Sequence, residues 1–273
     1  MNARILDEEY VSLILKNKKL FILDMDGTFY LGDKLLDGSL KFIEKIRQTG
    51  KEFMFFTNNA SKTPEEYMEK LKKMGCEVER KNIVTSGDVT IEYLLKNYSN
   101  SKIYLVGTPS LEESFRRSGI NLADKDDKSA DIVVVSFDLT LTYEKVKKAC
   151  YYIKNGSLFL ATHMDLNCPT EYGSVPDCGA ICAMITASTG VEPKYLGKPF
   201  KETTEMIKNI SGCDSDEMVV IGDRLCTDIA MGYKNGITSV LVLTGETRPE
   251  DIESSGIKPD IVLPSLGCLA ELL

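Results

Sequence analysis

No stretch of this 273-residue chain approaches the roughly 18 consecutive apolar residues that a membrane-spanning helix needs, which argues against a membrane protein. Nor is positive charge in excess. The formal net charge is −8, and broad nucleic-acid binding wants a basic face. The N-terminal MNARILDEEY is acidic and lacks the apolar core of a signal peptide, so the expectation is a cytoplasmic protein. The cysteines (Cys76, Cys150, Cys168, Cys178, Cys182, Cys213, Cys226 and Cys268) are scattered and include no CxxC pair. In a cytosolic enzyme most of them should be reduced and buried as small apolar side chains. Cys178 and Cys182 lie four apart on an expected helix, but no second Cys/His pair accompanies them to complete a metal site. His163 is the only histidine. Repeats and low-complexity segments are missing, and the tyrosines and methionines follow no spacing that demands a cofactor.

What is present is ordinary globular material. A hydrophobic content of 43% with 27% charged residues supplies a real core, and the length suits two domains better than one. Strand and helix signals alternate, which predicts an α/β fold with a parallel sheet. Strands are expected at 19–24, 51–59, 101–107, 130–138, 157–164, 217–223 and 237–245. Helices are expected at 39–49, from Thr63-Pro64 to Lys73, and at 86–97, 111–119, 142–156, 179–189, 201–210 and 227–235. Residues 82–84 read as a short extended link and 167–177 as a loop. The stretch 194–200 reads as a return to the first domain, and 260–273 as a last short strand and helix. The layout is one α/β domain, 1–84 and 188–273, interrupted by a second at 85–187.

The most informative segment is LFILDMDGTFY (20–30). Its apolar run reads as a buried parallel strand broken by Gly27. Asp24 and Asp26 therefore sit at the carboxyl end, where open α/β sheets bind ligands. Residues i and i+2 of an extended chain point to one side. Two crowded carboxylates repel and have raised pKa values unless a cation lies between them, and a hard cation such as Mg²⁺ relieves that repulsion. One carboxylate can then be a nucleophile and the other a proton donor. Three further strand ends finish in polar residues: Thr57-Asn58 after KEFMFF, Lys198 in LGKPF, and Asp223 and Asp228 in GDRLCTD after MVVI. In a parallel sheet such ends share one edge. Together they hold carboxylates for a metal, hydrogen-bond donors and one ammonium, the inventory for transferring a phosphoryl group. The negative net charge does not conflict with a phosphate substrate, because a metal and a lysine set the local field.

DMDGTFY, FFTNNAS, LGKP and GDRLCTDI, in this order, resemble the four motifs of the haloacid dehalogenase superfamily of phosphohydrolases. The large insert between the second and third motifs resembles the superfamily's subclass with an α/β cap there. Within it, the chain is similar to the NagD and 4-nitrophenyl-phosphatase-like group. The resemblance implies a Rossmann-like parallel-sheet core with an inserted α/β cap of the C2 type. It implies Asp24 as the nucleophile forming an aspartyl-phosphate, and Asp26 as the acid and then the base. Thr57 and the Asn58 backbone would bind phosphoryl oxygens, and Lys198 would stabilise charge there. Mg²⁺ would be held by Asp24, the Asp26 backbone carbonyl and Asp223, with Asp228 in support. The implied substrate is a small soluble phosphate ester, and the resemblance leaves a cap-mediated homodimer open.

Two positions depart from the family's pattern. The stretch usually like TNPD is here THMD (162–165), which leaves His163 in substrate contact, in packing or at the surface. Asp177 stands where a glycine usually precedes the cap helix. It either caps that helix or orients and repels substrate. Three activities fit the same residues: a Mg²⁺-dependent phosphomonoesterase, a phosphotransferase on the same core, and a non-catalytic protein that binds phosphometabolites. Dehalogenase chemistry needs no acid for an alkoxide, so Asp26 argues against it.

Overall fold

The run LFIL has no polar residue to show to water, and in the computed structural model it forms the strand Leu20–Leu23 with every residue buried. The structure describes residues 8–170 and 173–273. The expectation drawn from the acidic N-terminus thus rests largely on residues outside the described ones, as do two residues of the expected loop 167–177. Leu20–Leu23 pairs in parallel with Met218–Gly222 on one side and Glu52–Thr57 on the other. Leu23 faces Ile221 and Phe55, so Asp24, Gly222-Asp223 and Phe56-Thr57 follow at one edge.

Among the described residues this sheet has six strands, in the order 261–263, 238–242, 218–222, 20–23, 52–57, 83–85. The chain steps from 20–23 outward through 52–57 to 83–85 and resumes on the other side of 20–23. The gap between 20–23 and 218–222 is therefore the topological switch point, where doubly wound sheets bind ligands. Helix Ser39–Gln48 buries Phe42, Ile43 and Ile46. Phe42 meets Phe21 edge to face, and Phe29 meets Phe55 likewise at 4.7 Å between centroids. Each such fully buried side chain stabilises the fold by roughly 1.5–3 kcal/mol.

The chain divides into two compact units. The first contains the residues up to Thr57, Met68–Val84 and Lys198–Leu273; the second contains Asn58–Tyr67 and Thr85–Gly197. The second unit has its own parallel sheet, in the order 194–195, 158–161, 132–135, 103–106. Strand side chains alternate between faces, and the core follows that alternation. Val133, Val135, Phe159 and Ala161 pack with Val146, Ala149, Ile181 and Ile185 from helices Tyr143–Lys154 and Cys178–Thr189. Ile132, Val134 and Leu160 pack instead with Ile91, Leu94, Leu111 and Phe115 from helices Ser86–Asn97 and Pro109–Arg117.

Several expectations change. Residues 82–84 are not merely a link: Ile83–Thr85 is an edge strand of the first sheet. Lys194–Tyr195 pairs in parallel with Leu160-Ala161, so the return to the first unit falls at Lys198 and not at 194. The expected loop contains an antiparallel hairpin, Asn167–Thr170 with Gly173–Pro176. The expected helix 227–235 opens as a π-helical turn, Leu225–Ile229, before the α-helix Ala230–Asn235. Helices Glu8–Lys16 and Pro249–Ser255 had no counterpart among the expected elements.

Candidate active site

Asp24 follows the last residue of its strand, and its backbone N–H still donates to Ile221 O at 2.9 Å, which fixes it beside the strand Met218–Gly222. Its Oδ1 accepts from Lys198 Nζ at 2.6 Å. The same ammonium donates to Phe56 O at 3.0 Å and lies 2.7 Å from Asp228 Oδ1. Lys198 is only 2% exposed, so its charge answers to these neighbours and hardly to bulk water. Burial works against that charge, but Asp228 and Asp24 together outweigh it and hold the lysine protonated above its usual range. Burial raises the Asp24 carboxyl well above the ordinary aspartate range. Lys198 pulls it back down, while Asp228 and Asp223 push it further up.

Asp223 closes the other side of the group. It accepts from Glu246 N at 2.7 Å and from Thr28 Oγ1 at 3.3 Å. Burial first, and the Asp228 charge second, push its carboxyl up to about 6. Asp228 Oδ2 accepts from Arg224 N at 3.3 Å, within the π-helical turn. Three glycines make room for these two acids. A Cβ on Gly27 would lie 2.5 Å from Asp223 Oδ2, one on Gly245 1.9 Å from it, and one on Gly222 2.2 Å from Asp228 Cγ. Gly27 also has φ +82°, a conformation in which an L side chain is strained.

The carboxylates of Asp24, Asp223 and Asp228 offer oxygens that all lie within 4.8 Å of one another. Asp223 and Asp228 are buried and Asp24 partly so; Lys198 pairs with Asp24 and Asp228, while Arg224 acts on Asp223. The carboxylates are hard oxygen donors, so the set fits a hard divalent cation. Asp26 is not one of the three. It is half-buried and forms a bridge with Tyr30, and the adjacent Gly27 N–H donates to Tyr30 O at 2.8 Å. Thr57 ends the neighbouring strand, buried.

Asn58, His163 and Asp177 belong to the second unit. His163 Nε2 lies 2.9 Å from Asp177 Oδ1, and the ring is wholly buried. Asp177 caps helix Cys178–Thr189, its Oδ1 accepting from Cys178 N at 2.5 Å. That carboxylate is thus engaged by a helix end and an imidazole, which favours the capping reading over the substrate-repelling one. Burial acts to strip the proton from His163, but Cys178, Asp177 and Asp165 outweigh it and push its pKa up to about 9. Asn58 Nδ2 donates to both oxygens of Asp165 at 3.3 Å.

Sequence reasoning passed over Thr28 and the Thr244–Glu246 loop. Thr28 follows Asp26 with only Gly27 between them. The loop ends yet another strand of the same parallel sheet, and that placement is the signal that could have found it. Thr244 Oγ1 donates to Gly27 O at 2.7 Å.

Comparison with known proteins agrees with this geometry. A family model described as haloacid dehalogenase-like hydrolase matches residues 21–121, and a second, HAD-hydrolase-like, matches 195–269. The crystal structure of a 4-nitrophenylphosphatase from Thermotoga maritima is 47% identical. It superposes with a TM-score of 0.90 over 94% of this chain and 98% of that one. NagD from E. coli K-12 is 29% identical, with a TM-score of 0.83 over 92% of this chain and 97% of that one. The acid sugar phosphatase of Staphylococcus epidermidis is 34% identical over 261 residues, covering 94% of this chain and 99% of that protein. The chain belongs to the haloacid dehalogenase-like hydrolases, on their NagD-like phosphatase branch.

Proposed function

We propose that the protein is a Mg²⁺-dependent phosphomonoesterase that hydrolyses small organophosphates, sugar phosphates or 4-nitrophenyl phosphate among them, through an aspartyl-phosphate. The observation that carries this reading is the buried cluster of Asp24, Lys198, Asp223 and Asp228 at the switch point of the sheet. An Asp24 carboxylate oxygen attacks phosphorus while the ester oxygen leaves. Asp26 gives that oxygen a proton, then takes one from the water that attacks the phosphoaspartate. Inorganic phosphate departs and Asp24 is restored. Covalent catalysis divides a very slow hydrolysis into two easier steps. Lys198 pulls the Asp24 carboxyl back toward its ionised form against burial and offsets charge on the transferring group. Thr57 and the Asn58 backbone are read as phosphoryl-oxygen ligands. Asp24, the Asp26 carbonyl, Asp223 and Asp228 would hold the Mg²⁺, which when bound supplies further positive charge beside the phosphoryl oxygens.

We read the first unit as the catalytic core and the second, inserted between the segments carrying Thr57 and Lys198, as the cap that selects small esters. Among the described residues, no helix is long and apolar enough to cross a membrane, and we read the protein as cytoplasmic. The test is phosphate release from sugar phosphates, glycerol phosphate, phosphoglycolate, pyridoxal phosphate, nucleotides and 4-nitrophenyl phosphate, with Mg²⁺ and with EDTA. Metal-dependent release supports the reading, and trapping of phosphate on the peptide holding Asp24 supports the intermediate. No release from any ester by folded protein refutes it. Phosphorylated acceptor products in mixed-substrate reactions would turn it into a phosphotransferase.

A further inference from the structure

The chain passes from strand Glu52–Thr57 into Asn58, and from Gly197 into Lys198. Both junctions abut one polar cluster inside the second unit. Ser86 Oγ donates to Asn58 O at 2.5 Å. Gly197 N donates to Thr162 O at 2.7 Å. A Cβ on Gly197 would lie 2.7 Å from Asn58 Oδ1 and 3.0 Å from His163 Cβ, so Gly197 sits close against the other junction and the histidine, with no room for a side chain. His163 is the centre of this cluster. Its Nδ1 lies 2.9 Å from Thr162 Oγ1 and 3.4 Å from Ser86 Oγ, and its Nε2 is tied to Asp177, which is itself tied to a helix N-terminus.

Serine, histidine and aspartate in this order suggest a hydrolytic triad, but Ser86 and His163 are both 0% exposed. The serine proton is also directed at the Asn58 carbonyl. Neither a substrate nor a free hydroxyl is available, so the constellation is structural in kind and precise in placement. Buried polar groups with every partner in place hold one arrangement, and a half-satisfied network does not. We propose that His163 is a positioning residue. Through the Ser86 hydroxyl on one side, and on the other by filling the space beside Gly197, whose N–H is held by Thr162 O, it fixes the two chain segments that lead into Thr57 and Lys198. The inference rests on the phosphatase reading for the roles of Thr57, Asn58 and Lys198. Displacing a reacting group by ~1 Å costs on the order of 10²-fold in rate, so loosening these segments should be visible in kcat.

The histidine's two nitrogens separate this role from general stability. In His163→Asn the amide takes the place of Nδ1 and keeps the Ser86 and Thr162 side, losing Asp177. In His163→Gln the amide reaches toward Asp177 and loses the Ser86 side. With 4-nitrophenyl phosphate and Mg²⁺, His163→Gln and His163→Ala should lower kcat by about tenfold or more with KM changed by less than about threefold. His163→Asn should retain more than roughly a third of kcat. Ser86→Ala should lower kcat as His163→Gln does, and the double variant should be no worse than either single one. Hydrogen exchange of peptides spanning 56–60 and 195–199 should quicken in His163→Gln and not in His163→Asn, whether or not any ester is turned over. Equal or better activity in His163→Gln than in His163→Asn, kcat that merely follows the loss of Tm, additive single variants, or unchanged exchange at both peptides would each overturn the proposal. No phosphate release by the wild-type protein, together with the exchange difference between His163→Gln and His163→Asn, would refute the phosphatase reading and leave the clamp standing.

Discussion

Replacing Lys198 with methionine removes the ammonium paired with Asp24 and Asp228 while keeping the volume of its stem. Nζ lies within 2.7 Å of oxygens on two carboxylates, and the side chain is 2% exposed. Removing one partner of a buried ion pair costs about 3–5 kcal/mol, because the other charge is left buried and uncompensated. At roughly 2–4 °C per kcal/mol for a protein of this size, that is a fall in Tm of roughly 6–20 °C. The sign with pH follows from Asp24. Its folded pKa is already raised, and without Lys198 it rises further. The variant therefore keeps more of its stability in acid, where the carboxylates are protonated, and loses it as pH rises through their folded pKa values. Urea unfolding in EDTA at pH 5 and pH 8 reads this difference, and added Mg²⁺ at pH 8 should recover part of it. The rate of 4-nitrophenyl phosphate hydrolysis should drop by about 10²–10³-fold, the usual effect of losing one preorganised charge-stabilising group. A variant as stable as wild type at pH 8 in EDTA, or one with an undiminished kcat, would refute the assignment of Lys198 as the counter-charge of this cluster.

Asp24→Asn should abolish turnover and leave the far-UV spectrum and cooperative unfolding intact; wild-type-like phosphate release would remove Asp24 as nucleophile. Asp223 has its carboxyl raised from 3.8 to about 6 by burial and Asp228, on the order of 3 kcal/mol of differential interaction. A raised folded pKa gives stability that is full below about 3.8 and is lost as pH rises through about 6. The metal-free protein should thus weaken over that window. Mg²⁺ should raise Tm more at pH 7.5 than at pH 5; an equal rise at both, measured by thermal shift, would count against Asp223 as a ligand. Gly245→Ala places a methyl 1.9 Å from Asp223 Oδ2, and the acid must move. The Mg²⁺ concentration for half-maximal activity should increase about 10–100-fold, as for other supports of ligating residues, and an unchanged metal titration would show that the loop does not hold Asp223.

Which parts of this molecule can be read from sequence depends on the range of the interaction. Leu20–Leu23, Glu52–Thr57 and Met218–Gly222 are short apolar runs ended by polar residues. A parallel sheet needs only that pattern to bring their ends to one edge, so Asp24, Thr57 and Asp223, with Asp228 just beyond, are legible as one group from the order of residues alone. Lys198 is not the end of a strand of that sheet, as the sequence suggested: the strand before it, Lys194–Tyr195, pairs with Leu160-Ala161 in the second sheet, and only the folded chain shows how the lysine reaches Asp24. Ile83–Thr85 is three residues long, too short for a period to show, and only its neighbour in the sheet makes it a strand. Asn167–Thr170 and Gly173–Pro176 contain Pro169, Pro176 and Gly173, which read as loop. A two-stranded hairpin consists entirely of edges, and edges tolerate proline. The pairing of His163 with Asp177 spans 14 residues and depends on where helix Cys178–Thr189 begins, so sequence alone could offer packing and substrate contact for His163 without deciding between them.

The glycines around the acids show why the site's fine structure is invisible in its motif. Gly27 sits inside DMDGT, but Gly245 is 22 positions beyond Asp223 in the chain, and both crowd the same carboxylate. Each glycine gives up side-chain packing and raises the entropy lost on folding, and each lets Asp223 approach Thr28 and the Glu246 N–H. The cluster gathers three acids around Lys198, with Arg224 acting on Asp223, where burial penalises charge, an arrangement that destabilises the free protein and that a bound cation would relieve. The same arrangement keeps these carboxylates poorly hydrated and therefore ready for a cation. Stability and metal affinity should consequently move in opposite directions across substitutions here. Asp223→Asn should melt higher than wild type in EDTA yet gain less from Mg²⁺, because it removes the repulsion and the ligand in one step.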